Sequence, residues 1–171
     1  MGTILEKSKE FGIKCHRDAN CQYDGKPYEI HLEMVYNIGL KFIHLIPKEK
    51  QENVLSACWI HDTIEDCRQT YNDVKNSLNE DVAELAYALT NEKGKTRKER
   101  ASDKYYEGIR NTQFASYVKL CDRIANYQYS IKTNSKMSGI YEKEMDDFLN
   151  KVVNNSEYIE MVDYLKSLKN K

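Results

Sequence analysis

Apolar residues recur along this chain at intervals of three and four, the spacing of one helix face. Ile4, Leu5, Ser8, Phe11 and Cys15 trace such a stripe over residues 3–18. Ile30, Met34, Ile38 and Phe42 trace another, in a helix that begins near Tyr28. Gln51 to about Ile64 reads as one buried helix, set off by Pro47. Thr70 with Asp73 three residues on, and Asn79 followed by Glu80 and Asp81, mark the starts of two further helices. The second of these carries Val82, Leu85, Ala86 and Leu89. A basic stretch, Thr90–Arg100, leads into another helix, Gln113 to about Ile131 forms a long one, and residues 138–153 and 156–169 close the chain. "YDGKPY" (Tyr23–Tyr28) is turn chemistry and reads as a loop. The pattern predicts an all-α bundle of about nine helices without a strand.

Composition supports this picture. Seven glycines and two prolines are few for a sheet protein, whose turns need them. No linker, repeat or low-complexity tract divides residues 1–171, so a single domain is expected. A net charge of −1 argues against a nucleic-acid partner, which would draw a basic excess. No apolar run approaches the length of a membrane span, and "MGTILEKSKE" lacks the apolar core of a signal peptide. Five cysteines, none in a C-x-x-C pair, read as reduced residues of a cytoplasmic protein.

One stretch departs from the helical pattern. "ACWIHDTIEDC" begins apolar and then sets His61, Asp62, Glu65 and Asp66 within six positions. Burial of so many charges is expensive unless a cation compensates them. His61 and Asp62 offer one nitrogen and one oxygen ligand, so a divalent metal there needs donors from elsewhere. The chain has only four histidines, and His31, on the inner stripe of its helix in "PYEIHLEMV", is a suitable second imidazole. Asp122 is an acid inside the apolar helical run "YVKLCDRIANY" and needs a metal or a basic neighbour such as Lys119 or Arg123. His16 and His44 lack an acidic, apolar setting.

These islands resemble the HD-domain metal-dependent phosphohydrolases, and most closely the hydrolase domain of the RelA/SpoT alarmone enzymes and the small single-domain alarmone hydrolases. "GKPYEIH" is similar to their G-x-P-Y-x-x-H, "HDTIED" to H-D-x-x-E-D, "TNEKGKTRKER" to a basic T-x-x-K…E-R segment, and "VKLCDRIANY" to V-K-L-A-D-R-x-x-N. The resemblance implies an HD-domain bundle with His31, His61, Asp62 and Asp122 as metal ligands and manganese as the ion. It implies that Glu65 and Asp66 handle the attacking water and its proton, that Arg97, Arg100, Lys119 and Arg123 hold phosphates, and that Asn126 meets the nucleoside. The expected substrate is a nucleotide, with guanosine 3′,5′-bis(diphosphate) first; another nucleotide or dinucleotide, or a weakly catalytic nucleotide-binding regulator, are the alternatives. The chain departs from the family in one place. Where those hydrolases carry an Arg or Arg-Lys pair before the G-x-P-Y loop, this chain has Gln22 and Tyr23.

Overall fold

Helix α1 (Ile4–Asp18) starts at a reciprocal cap, in which Thr3 Oγ1 accepts from the Glu6 amide while Glu6 returns a bond to the Thr3 amide. A computed structural model describes residues 2–91, 94–154 and 157–170 of the chain, with the side chains of Arg97, Lys98 and Asn170 outside the description. Among the described residues there are eleven α-helical segments, nine of them seven residues or longer. The only strands among them are the two-residue pair β1 (Gln22–Tyr23) and β2 (Lys26–Pro27). Their Asp24-Gly25 turn takes positive φ at both positions, 53° and 72°, as a tight two-residue hairpin requires. The expected loop is thus a small hairpin.

Helix α2 (Glu29–Lys41) follows at once and packs on α3 (Gln51–Ile60) and on α9 (Ala115–Lys132). Helix α3 is the central rod. Its residues Val54 to Ile60 are all buried, with α1, α2, α6 (Glu80–Leu89) and α9 around it, as a helix apolar on every side demands. Helix α1 lies unusually close to it. A Cβ on Gly12 would come within 2.1 Å of the Trp59 carbonyl oxygen, so only glycine fits there.

The expected helix from Gln51 to Ile64 is broken. Helix α3 stops at Ile60, His61 and Asp62 form a link, and a short α4 (Thr63–Asp66) resumes. The break has a side-chain cause: Thr63 Oγ1 donates to the Ile60 carbonyl at 2.7 Å and the His61 Nδ1 lies 3.1 Å from the Cys58 carbonyl. These bonds take carbonyls of the last turn of α3 in place of further helical amides.

Helix α5 (Tyr71–Ser77) is capped by Thr70 and Asp73, and α6 by Asn79, as their sequences predict. After α7 (Arg97–Arg100) and α8 (Asp103–Asn111), α9 crosses the molecule, and α10 (Met137–Val152) and α11 (Ile159–Ser167) finish it. Two groups of apolar side chains result. The larger joins α2, α3, α9, α10 and α11, and the smaller gathers Leu32, Trp59, Ile60, Val74, Val82, Ala83 and Ala86. Helices α2 and α3 belong to both, and they carry or precede both buried histidines of the site below. Among the described residues, no helix is long and apolar enough to cross a membrane.

Candidate metal centre

Three elements bring the four expected ligands together. His31 sits in the first turn of α2, His61 and Asp62 occupy the link between α3 and α4, and Asp122 lies midway along α9. Both imidazoles are 2% exposed. Their Nε2 atoms face each other at 3.3 Å. Asp62 Oδ2 lies 2.9 Å from His61 Nε2 and 3.5 Å from His31 Nε2, and Asp122 Oδ1 lies 3.4 Å from His31 Nε2 and 3.8 Å from His61 Nε2. The ligand atoms of His31, His61 and Asp122 all fall within 4.8 Å of one another.

Such spacing fits a shared cation. Donors bonded at about 2.0–2.2 Å to one ion stand roughly 3–4 Å apart. The tautomer agrees: the His61 Nδ1 hydrogen is directed at the Cys58 carbonyl, which leaves the Nε2 lone pair pointing into the cluster. Two neutral imidazoles and two carboxylates form a mixed nitrogen and oxygen set suited to a first-row divalent ion.

Without a cation the cluster holds protons instead. Burial disfavours charge on His31, but the Asp122 and Asp62 carboxylates outweigh it and raise its pKa to about 9. Both acids stay ionised: burial pushes each up, yet Lys119 and the imidazoles hold Asp122 down, and His61 and His31 hold Asp62 well below its ordinary value.

A ring of partners fixes the ligands. The Tyr28 hydroxyl donates to Asp62 Oδ2 at 2.5 Å and lies 3.5 Å from Asp66 Oδ2. Beneath it His16, 1% exposed, stacks flat on the Tyr28 ring at 4.3 Å and directs its Nδ1 at the Gly12 carbonyl, 2.8 Å away. His16 therefore has the buried, acid-neighbouring setting that its sequence context concealed. Tyr28 stands one turn before His31 in "GKPYEIH", and that spacing was the available signal for it.

The expected proton-handling acids flank the cluster at the surface. Glu65 is exposed and accepts from the Asn91 backbone amide at 3.2 Å and from its side chain at 3.0 Å. Asp66 is exposed as a residue, but partial loss of water around its carboxyl, with the Asp62 and Glu65 charges, pushes it up to about 6.

The expected phosphate contacts separate. Lys119 Nζ donates to Asp122 Oδ2 at 3.0 Å. Asn126 is occupied on both sides, donating to Asp122 Oδ1 at 2.5 Å and accepting from the Tyr23 hydroxyl at 2.8 Å. Arg123 turns from the cluster to α10, where its guanidinium lies 4.1 Å from the Phe148 ring centre and 3.4 Å from Glu144. Its neighbour Asp122 faces the ligand cluster, and consecutive helical positions diverge by about 100°, so Arg123 and Asp122 point to different sides of α9. Arg100 is exposed at the end of α7. Lys93 and the Arg97 side chain lie outside the described residues.

No protein-family model matches the chain. MESH1 of Drosophila melanogaster, a guanosine-3′,5′-bis(diphosphate) 3′-pyrophosphohydrolase, is 27% identical over 106 residues, which are 61% of this chain and 59% of that protein. A solved structure of a metazoan ortholog of SpoT, which hydrolyzes ppGpp and plays a role in starvation responses, matches with a TM-score of 0.72 at 19% identity, over 99% of this chain and 97% of that one. The two share one fold. These similarities support the resemblance to the HD-domain alarmone hydrolases raised by the motifs.

Proposed function

We propose that the chain is a single-domain, metal-dependent phosphohydrolase acting on a nucleotide, and that guanosine 3′,5′-bis(diphosphate) is its first candidate substrate. The reading rests on the convergence of His31, His61, Asp62 and Asp122, with two buried imidazole nitrogens 3.3 Å apart between two carboxylates. The relative named as a 3′-pyrophosphohydrolase supports the choice of substrate, and the shared fold is consistent with it.

His31, His61, Asp62 and Asp122 would hold a divalent cation, manganese in this reading. The cation would supply positive charge against the phosphate and acidity to water. Glu65 and Asp66 take the proton as water attacks phosphorus, and Asp66, raised to about 6, accepts and returns protons near neutral pH. The phosphorus–oxygen bond to the ribose 3′ oxygen breaks, giving pyrophosphate and guanosine 5′-diphosphate. Lys119 and Asn126 serve this step by keeping Asp122 ionised and oriented. Arg97 and Arg100 of the basic segment hold the phosphates.

The test is a panel of nucleotides and dinucleotides incubated with the protein and Mn²⁺, read by release of phosphate or pyrophosphate. Pyrophosphate from guanosine 3′,5′-bis(diphosphate) is expected. Turnover of another nucleotide alone moves the substrate and keeps the chemistry; turnover of none contradicts the reading.

A further inference from the structure

Tyr23 occupies the segment where the alarmone hydrolases carry cations, and its contacts give it a different task. Its ring lies 4.8 Å from the His31 ring at an interplanar angle of 15°, a stacked pair. Its hydroxyl donates to Asn126 Oδ1 at 2.8 Å, and Asn126 donates in turn to Asp122 Oδ1 and to the Asp122 carbonyl. One side chain thus reaches His31 on helix α2 and Asp122 on helix α9, through a ring contact on one and an amide relay on the other.

His31 needs such support. A metal-bound imidazole is ordinarily oriented by a hydrogen bond from its other nitrogen. The His31 Nδ1 is buried and has no hydrogen-bond partner. Its ring is held by aromatic faces and edges instead: Tyr23 on one face, and Tyr28 edge-on at 5.3 Å.

The hairpin that carries Tyr23 is itself fastened to α9. The Tyr129 hydroxyl donates to Asp24 Oδ2 at 2.8 Å, Lys26 Nζ approaches the same hydroxyl at 3.4 Å, and the Tyr23 and Tyr129 rings meet at 5.0 Å. Helix α9 also bears Asp122, so the hairpin is tied to the helix that carries this residue.

We infer that Tyr23 is a positioning residue of the metal centre, which sets the angle of His31 by stacking and the orientation of Asp122 through Asn126. The inference rests on the metal-centre reading of the proposed function and goes beyond it by assigning this chain's departure from the alarmone hydrolases a role in metal affinity.

The full-length chain, stripped with chelator, is titrated with Mn²⁺ by calorimetry. Tyr23→Ala should weaken binding about 10- to 100-fold, the usual effect of removing a partner of a metal ligand. Tyr23→Phe keeps the stacked ring and should weaken it only about fivefold, the scale of one hydrogen bond. Since the hydroxyl acts through Asn126, adding Tyr23→Phe to Asn126→Ala should change nothing further. A merely structural tyrosine would lower the unfolding temperature of the metal-free protein and leave the Mn²⁺ affinity of its folded fraction unchanged. Wild-type affinity in folded Tyr23→Ala, or full additivity of Tyr23→Phe with Asn126→Ala, overturns the inference alone. A wild-type chain that binds no Mn²⁺ overturns the proposed function and this inference together.

Discussion

The Tyr28 hydroxyl donates to Asp62 Oδ2, the same carboxylate oxygen that stands 2.9 Å from His61 Nε2. The oxygen facing the metal centre is therefore also the one held from outside, and the phenol fixes its direction. Burial and the neighbouring acids raise Tyr28 far above its ordinary pKa, so it remains a donor at every relevant pH.

Tyr28→Phe removes this donor and keeps the ring that His16 stacks on. A hydrogen bond to a charged group contributes about 1.5–3 kcal/mol. Mn²⁺ affinity and kcat/KM should both fall about 10- to 100-fold, with the unfolding temperature of the metal-free protein little changed. Calorimetry and steady-state kinetics on the same preparation check it; unaltered metal affinity would show that Asp62 needs no such support.

Metal binding should release a proton. In the metal-free protein His31 is raised to about 9 by its two carboxylates, so near neutral pH it carries a proton that the cation must displace. Raising the pH removes the competitor, so the Kd for Mn²⁺ should fall about tenfold per pH unit from pH ~6 to ~8 and level off above about 9. A Kd constant over that range would contradict the proton competition.

Glu65→Gln separates metal binding from proton handling. Gln keeps the shape and an oxygen for one of the two Asn91 bonds but cannot take a proton. Metal content should match wild type while turnover drops by roughly 10²–10⁴, the scale of a lost general base. Elemental analysis with product-release kinetics reads both; metal loss would make Glu65 a ligand, and unchanged turnover would make it a surface acid.

Gly12→Ala tests how close α1 must lie to α3. The new methyl would meet the Trp59 carbonyl, a backbone atom that cannot rotate aside. Overpacking of this kind costs about 1–3 kcal/mol, which for a chain of this size lowers Tm by roughly 2–12 °C. A thermal melt at wild-type Tm would show that the helices separate freely.

Most of the helices are legible because each repeats one buried face, α3 because it is apolar all round, and Thr70 and Asn79 announce their caps through short-range chemistry. The break at His61–Asp62 is not, because Ile64 keeps helical spacing from Ile60 and the interruption comes from single side chains on carbonyls. His31, His61, Asp62 and Asp122 stand out in the sequence as polar residues in apolar surroundings, and the fold brings them together. His16 stayed hidden: its partners Gly12 and Tyr28 are a backbone carbonyl and a ring on another helix start, neither of which marks the sequence. The direction of Arg123 is not legible either, because adjacency to Asp122 along the chain does not place it on the same face of α9.

In the proposed reading, hydrolysis depends on one cation held by His31, His61, Asp62 and Asp122. Chelator-stripped protein should be titrated with Mn²⁺ while pyrophosphate release from guanosine 3′,5′-bis(diphosphate) is followed. The expected result is no turnover without metal, activity that saturates at one ion per chain, and loss of both binding and turnover in Asp122→Ala. Turnover that persists in excess chelator, or full metal-dependent activity in Asp122→Ala, would contradict it.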